Sequence, residues 1–230
     1  MSSNPLILTD PSGDPIVIRR SGQAKRLSLR LSRLDGRVTL TAPKGVSDAV
    51  IRGFVQEKRD WLRHHLADMP APVLVQDGVQ IPIEGRMVPI IQAPGPAGLH
   101  EGRLRLRPGR AAGPQAAAIL RQLARARLAD YCDRACVQIG RSYSKLTLRD
   151  TRSRWGSCTA EGGLMFSWRI IMAPPRILDY LAAHEVSHLV HMNHSKAFWG
   201  QVAQLHPSAR EDRAWLHEYG ADLHRYRFSD

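Results

Sequence analysis

The stretch PPRILDYLAAHEVSHLVHMNH, residues 174–194, constrains this 230-residue chain more than any other. Ile177, Leu178, Leu181, Ala182, Val186, Leu189 and Val190 recur at mostly helical spacing, among alanines that favour a helix. Pro174 and Pro175 stand at its start, where a missing N–H costs nothing. The pattern predicts a helix from about Pro175 to Met192, and the fold has to be built around it.

That helix carries a metal-ligand pattern. His184 and His188 are four residues apart, so at about 3.6 residues per turn both imidazoles stand on one face and can reach one ion. Catalytic zinc takes three protein ligands and leaves a fourth position for water. Glu185 completes H-E-x-x-H, in which the glutamate reaches that water and takes its proton as general base. His191 and His194 compete for the third place. On a continued helix His191 shares the face, but at about 1.5 Å per residue it lies roughly 7.5 Å beyond the level of an ion held between the first two. Asn193 tolerates the left-handed conformation that ends helices, after which His194 can swing back. His194 is therefore preferred, and His191 is left to support the site or face solvent.

The segments HEVSHLVHMNHSKAFW, RSRWGSC and APPRILDYLAAHE together resemble the YgjP-like metallopeptidase family, a zincin group related in pattern to the SprT-like proteases. RLDGRVTLTAPKGVSDAVIRGFVQEKRDWLRHHL looks like that family's amino-terminal region, so the likeness spans most of the chain, with its specific motifs in the C-terminal part. The resemblance implies Zn2+ on His184, His188 and His194, with Glu185 as base. The sequence departs from the family at Val186, where leucine is commoner, at Ser167, where asparagine is usual, and at His191. The first leaves the chemistry untouched; the second bears on any role the asparagine has near the site.

Elsewhere the pattern is mixed. Residues 16–42 alternate apolar and polar around the turn LDG, as hairpin strands do, and an amphipathic helix follows with Ser47 as N-cap. Strands are expected in VQIPIEGRMVPIIQ and RLRLRP, separated by APGPAGLHEG as a linker or exposed loop. A helix over Gln115–Ile139 comes next, then strands in KLTLRD and GLMFSWRIIM flanking the RSRWGSC loop. The last segment is one or two helices packing by Phe198, Trp199, Leu205, Trp215 and Leu216. The class is α+β: a small α/β region with a basic hairpin over residues 1–110, and a zincin-like catalytic region over 111–230. In zincin folds a sheet edge beside the cleft can hold an extended peptide, and GLMFSWRIIM is the strand suggested for it.

Three cysteines are too few for a disulfide scaffold. Cys132 and Cys136, four apart in the long helix, read as small apolar packing, with a metal site as the sharper alternative. Cys158 has no identifiable base and reads as structural. There is no charged start followed by an apolar run and no stretch of about 18 apolar residues, so a cytoplasmic protein without a membrane partner is expected. The 33 Lys and Arg outnumber the 21 Asp and Glu, a net charge of +12. Arg19, Arg20, Lys25, Arg26, Arg30, Arg33 and Arg37 face Asp35 alone over residues 19–37. Such a run suits nucleic acid or another polyanion, or is a solvated basic face.

Three functions compete. In a zinc metallopeptidase acting on a peptide or protein, zinc polarises the scissile carbonyl and Glu185 moves the proton, with Arg152, Arg154, Tyr180 and His206 as candidate oxyanion donors. In a metal-dependent nucleotide pyrophosphatase, the arginines of RDTRSRWGSC clamp phosphates, although such chemistry tends to use oxygen-bound magnesium. In a nucleic-acid-associated protein with a structural metal, Glu185 has no task and a fourth ligand is missing. The peptidase is favoured.

Overall fold

The computed structural model describes residues 6–32 and 36–229. The LDG turn lies outside these apart from Gly36, as do Arg33 and Asp35. The chain separates into two compact units, residues 1–71 and 72–230. The division therefore falls some forty residues before the expected boundary at 110, because the strands of residues 73–106 bury their apolar faces in the second unit's core, not the first's.

In the first unit, β1 (Val17–Ser21), β2 (Ser28–Leu31) and β3 (Val38–Pro43) form a sheet in the order β1-β3-β2. β2 and β3 pair antiparallel, Leu29 opposite Leu40, as the hairpin pattern predicts. β1 instead joins the far edge of β3 in parallel, Ile18 opposite Leu40. Central β3 alternates strictly, with Val38, Leu40 and Ala42 buried, as a strand covered on one face does. They pack with Ile51, Val55 and Leu62 from α1 (Asp48–Glu57) and α2 (Arg59–Ala67), each large side chain contributing about 1.5–3 kcal/mol. Ser47 caps α1 as expected, its hydroxyl accepting from the Val50 N–H at 3.4 Å. The single helix expected here is broken at Lys58 into two.

The second unit begins with β4 (Val73–Leu74), then β5 (Gln80–Ile83) and β6 (Arg86–Gln92), a hairpin turned by Glu84 and Gly85 at φ 50° and 77°. Two successive positive φ values are what a tight two-residue hairpin turn demands. The expected linker APGPAGLHEG is partly ordered pairing: β7 (Gly98–His100) lies antiparallel to β8 (Arg103–Leu106), completing the order β5-β6-β8-β7. Helix α3 (Ala112–Ile139) follows, burying Ala117, Leu120, Ala124, Leu128 and Cys132 along one stripe. It ends at Gly140, whose left-handed backbone (φ 62°) returns its N–H to the carbonyls of Cys136 and Val137.

A second small sheet, in the order β10-β11-β9, joins β9 (Lys145–Arg149), β10 (Gly156–Cys158) and β11 (Gly163–Ser167). GLMFSWRIIM is therefore only half strand; Trp168–Met172 turn into a 3-10 helix, every member buried except Arg169. β11 is paired on both sides, so it has no edge to offer an extended peptide. Helix α4 (Pro175–Ser187) packs on α3 and on β10, and α5 (Lys196–Leu205) and α6 (Ala209–Tyr219) pack on α4. The chain closes with β12 (Tyr226–Arg227), parallel to β4. The unit is thus α+β. Among the described residues no helix is long and apolar enough to cross a membrane.

Candidate metal centre

Helix α4 stops five residues short of Met192. The Ser187 hydroxyl donates back to the Ala183 carbonyl at 2.7 Å, and the next amides, from His188, Leu189 and Val190, reach back only three residues. That tightening curls residues 188–191 into a turn. The continued helix on which His191 would have shared a face does not form. Its backbone is used instead: the His191 carbonyl accepts from Nδ1 of His188 at 2.9 Å, which leaves Nε2 of His188 as the nitrogen with a free lone pair. The chain then reverses through Met192 and Asn193, and Ser195 caps α5 by accepting from the Phe198 N–H.

The result is a triangle of imidazoles. His184, His188 and His194 have ring centroids 5.1, 5.2 and 4.9 Å apart, and one nitrogen from each lies within 4.8 Å of the others. Phe198, fully buried, is their floor at 5.0, 4.4 and 4.8 Å from the three rings, stacked on His188. Tetrahedral zinc with nitrogen ligands at about 2.0–2.1 Å holds those nitrogens about 3.3 Å apart. Nε2 of His184 and Nε2 of His194 are 3.2 Å apart, so the cluster fits such an ion. Burial, with the neighbouring His188, His194 and Arg213, lowers the His184 pKa to about 3, and burial also lowers that of His188. Neutral imidazoles are what a metal needs.

Glu185, 4% exposed, lies on the same turn of α4. Burial pushes its carboxyl up to about 8, against the opposing pull of Arg154. The backbone of Gly156 in β10 passes directly over this side chain: a Cβ at that position would overlap the Glu185 carboxylate, with Cγ and Cδ only 2.7 Å away. The RWGSC motif thus supplies a residue that spacing alone did not single out, a glycine required by close approach. Tyr180 is buried one helical turn before His184, their rings 6.0 Å apart, and burial raises its phenol to about 12, which keeps it a donor. Trp199 stacks on His194 at 5.7 Å and 25°.

The other expected residues separate clearly. His206 is fully engaged, Nδ1 to Asp179 at 2.8 Å and Nε2 to buried Asp212 at 2.7 Å, so neither nitrogen is left for an oxyanion. Arg152 and Arg154 lie in the loop before β10, and Arg154 brings its charge to Glu185. Cys132 and Cys136 are buried in the core and Cys158 is half-buried, with burial raising all three thiols, Cys158 to about 11; none is a thiolate at neutral pH. Ser167 is fully buried with its hydroxyl unpartnered among the described residues.

No curated protein matches the chain. Among solved structures, the metallopeptidase zymogen abylysin of Pyrococcus abyssi matches at 18% identity, covering 40% of this chain and 93% of its own, with a TM-score of 0.37, too slight a likeness to carry an argument. The family model described as the YgjP-like metallopeptidase domain matches residues 25–219. That span runs through both units and includes the whole histidine cluster, RWGSC and α4, and the chain belongs to the YgjP-like metallopeptidase family.

Proposed function

We propose that the protein is a zinc-dependent peptidase of zincin-like design, in which His184, His188 and His194 hold one zinc ion and Glu185 is the general base. The observation that carries this reading is the near-equilateral imidazole triangle on Phe198, with a buried carboxylate beside it. Zinc held there would polarise a scissile carbonyl, acidify a water and offset the burial that keeps the Glu185 carboxyl protonated.

The chain's own groups do the rest. Glu185 accepts a proton from the attacking water as its oxygen joins the carbonyl carbon, then returns it to the amine nitrogen as the C–N bond breaks. Gly156 leaves the carboxylate room to make that exchange, and Phe198 keeps water from behind the imidazoles. Tyr180, a neutral phenol whose ring lies 6.0 Å from that of His184, is the donor assigned to the developing oxyanion.

The test is a zinc-loaded sample assayed against a denatured-protein mixture and a panel of nucleoside triphosphates. Glu185-dependent cleavage of protein supports the reading. Pyrophosphate release without any proteolysis transfers the site to phosphoanhydride chemistry.

The basic sheet of the first unit supports a separate proposal. Arg19, Arg20, Lys25, Arg26, Arg30 and Arg37 are all exposed, a surface suited to nucleic acid or another polyanion. A cytoplasmic location would give it access to both kinds of partner.

A further inference from the structure

Arg213 is a cation placed at the histidine cluster. The residue before it, Asp212, is fully buried and pinned: it accepts from His206, whose other nitrogen bonds Asp179 of α4, and it pairs with Arg176 at the start of α4. Successive helical residues point about 100° apart, so fixing Asp212 inward fixes where Arg213 emerges. It emerges over Trp199, with the guanidinium carbon 4.7 Å from the indole. That indole lies 5.7 Å from the rings of both His184 and His194. Among the described residues no carboxylate pairs with Arg213.

A fixed cation beside three imidazoles that hold a divalent ion works against that ion, so its placement needs an anion to offset it. Arg213 is itself exposed, yet it is laid on an indole, and the residue before it is anchored in a buried network, so it has given up rotamer freedom that an ordinary surface arginine keeps. It is laid on Trp199, whose indole in turn flanks His184 and His194, a position that suits a group holding the substrate more than one that touches the reacting carbonyl. Resting on the peptidase reading, we propose that Arg213 selects peptides carrying a carboxylate close to the scissile bond, either an Asp or Glu side chain or the peptide's own C-terminus. Arg213 is then a specificity-determining residue, with Trp199 as the platform that orients its planar fork for two parallel hydrogen bonds.

Matched fluorogenic peptides decide it, assayed with the zinc-loaded full chain. One series carries Glu or Gln at each position around the cleavage site; the other carries a free or an amidated C-terminus. The wild type should cleave a carboxylate peptide about tenfold or more faster, in kcat/KM, than its amide twin, and the series that shows the effect names the source. Arg213→Gln should bring the two twins level through a higher KM, Arg213→Lys should keep part of the preference, and Arg213→Glu should move it to Lys peptides. Equal cleavage of all twins by the wild type overturns the inference while leaving the peptidase standing. So does a fall in kcat on every peptide alike, the mark of an oxyanion donor. A wild type that cleaves no peptide removes the peptidase reading and this inference with it.

Discussion

His64 and His65 lie side by side on α2, both in solvent, with His64 Nε2 3.4 Å from an Asp68 oxygen one turn on and their rings 5.6 Å apart, edge to face. His184 and His188 on α4 are four residues apart, and their rings meet at a similar 5.1 Å. Centroid distance therefore does not separate a candidate metal centre from a pair of surface histidines. What separates them is direction and floor. Neighbours in sequence point about 100° apart on a helix, while residues four apart share a face. His184 and His188 gain a third ring from beyond the helix end and a buried phenylalanine beneath, whereas α2 provides neither.

The sharpest way to break this contrast is to remove one corner of the triangle. His184→Ala, His188→Ala and His194→Ala should each lose the metal and all hydrolysis, a drop well beyond the roughly 10–100-fold that losing an outer hydrogen-bond partner costs. His191→Ala, which keeps the backbone carbonyl that orients His188, should retain about one zinc per chain. Elemental analysis after gel filtration checks both. Zinc kept by His194→Ala but lost by His191→Ala would falsify the ligand assignment.

Glu185→Gln comes next, with kcat expected to fall about 10²–10⁴-fold at full zinc content, since an amide cannot take a proton. The metal-free protein offers a second readout. With its pKa at about 8 in the fold against an ordinary 4.5, Glu185 is neutral when folded and ionised when unfolded between those values. A raised folded pKa stabilises fully below 4.5 and its benefit is lost as pH climbs through 8. Chelated Glu185→Gln should therefore be no more stable than wild type at pH 4, and increasingly more stable towards pH 9, with a ceiling of about 5 kcal/mol. Urea titrations across that range measure it; a constant difference at all pH values would remove the buried carboxyl from the account.

Gly156→Ala should act more gently. A methyl there overlaps the Glu185 carboxylate, and displacing a reacting group by about 1 Å can cost about 10²-fold in rate. Zinc content should stay near one, because β10 contributes none of the three histidines. Loss of zinc along with activity would mean that the strand supports the ligands as well as the base.

These variants also mark how far the sequence could be read. The convergence of His184, His188 and His194 was legible because two of them share a helix face and the third lies just past the helix end; the left-handed Asn193 expected to reverse the chain is not found, since among the described residues only Glu84 and Glu101 combine a side chain with positive φ. The same helix ends sooner than its periodicity predicts, because the Ser187 hydroxyl that competes for the Ala183 carbonyl looks, in a hydropathy pattern, like any polar residue. Gly156 and Arg213 were invisible as site residues for another reason: each reaches the cluster from an element distant in the chain, through packing that local periodicity does not encode. The trace each leaves is indirect, a glycine inside a strand in one case and an arginine next to a buried aspartate in the other.

The smallest effect on catalysis is expected from the exposed basic sheet, where the comparison reverses. Around α4 individual groups are buried and singly placed, Glu185 beside the histidines and Asp212 bonded to His206, so replacing one changes the chemistry. On β1, β2 and the segment between them, Arg19, Lys25, Arg26 and Arg30 stand in solvent, and their contribution to polyanion binding is a sum over interchangeable charges. Arg20 differs, since it is bonded to the Val46 carbonyl at 2.6 Å and paired with Asp48, so its loss would also loosen the entry to α1. Replacing Arg19, Lys25, Arg26 and Arg30 with Gln should weaken binding to double-stranded DNA at every sequence alike. The slope of log K against log salt should flatten by about 0.9 for each lost phosphate contact. Cleavage of a short peptide by the same zinc-loaded variant should be unchanged. An unaltered salt slope would reduce this face to a solvated surface, and a loss of peptide cleavage would show that its charges act on the histidine cluster after all.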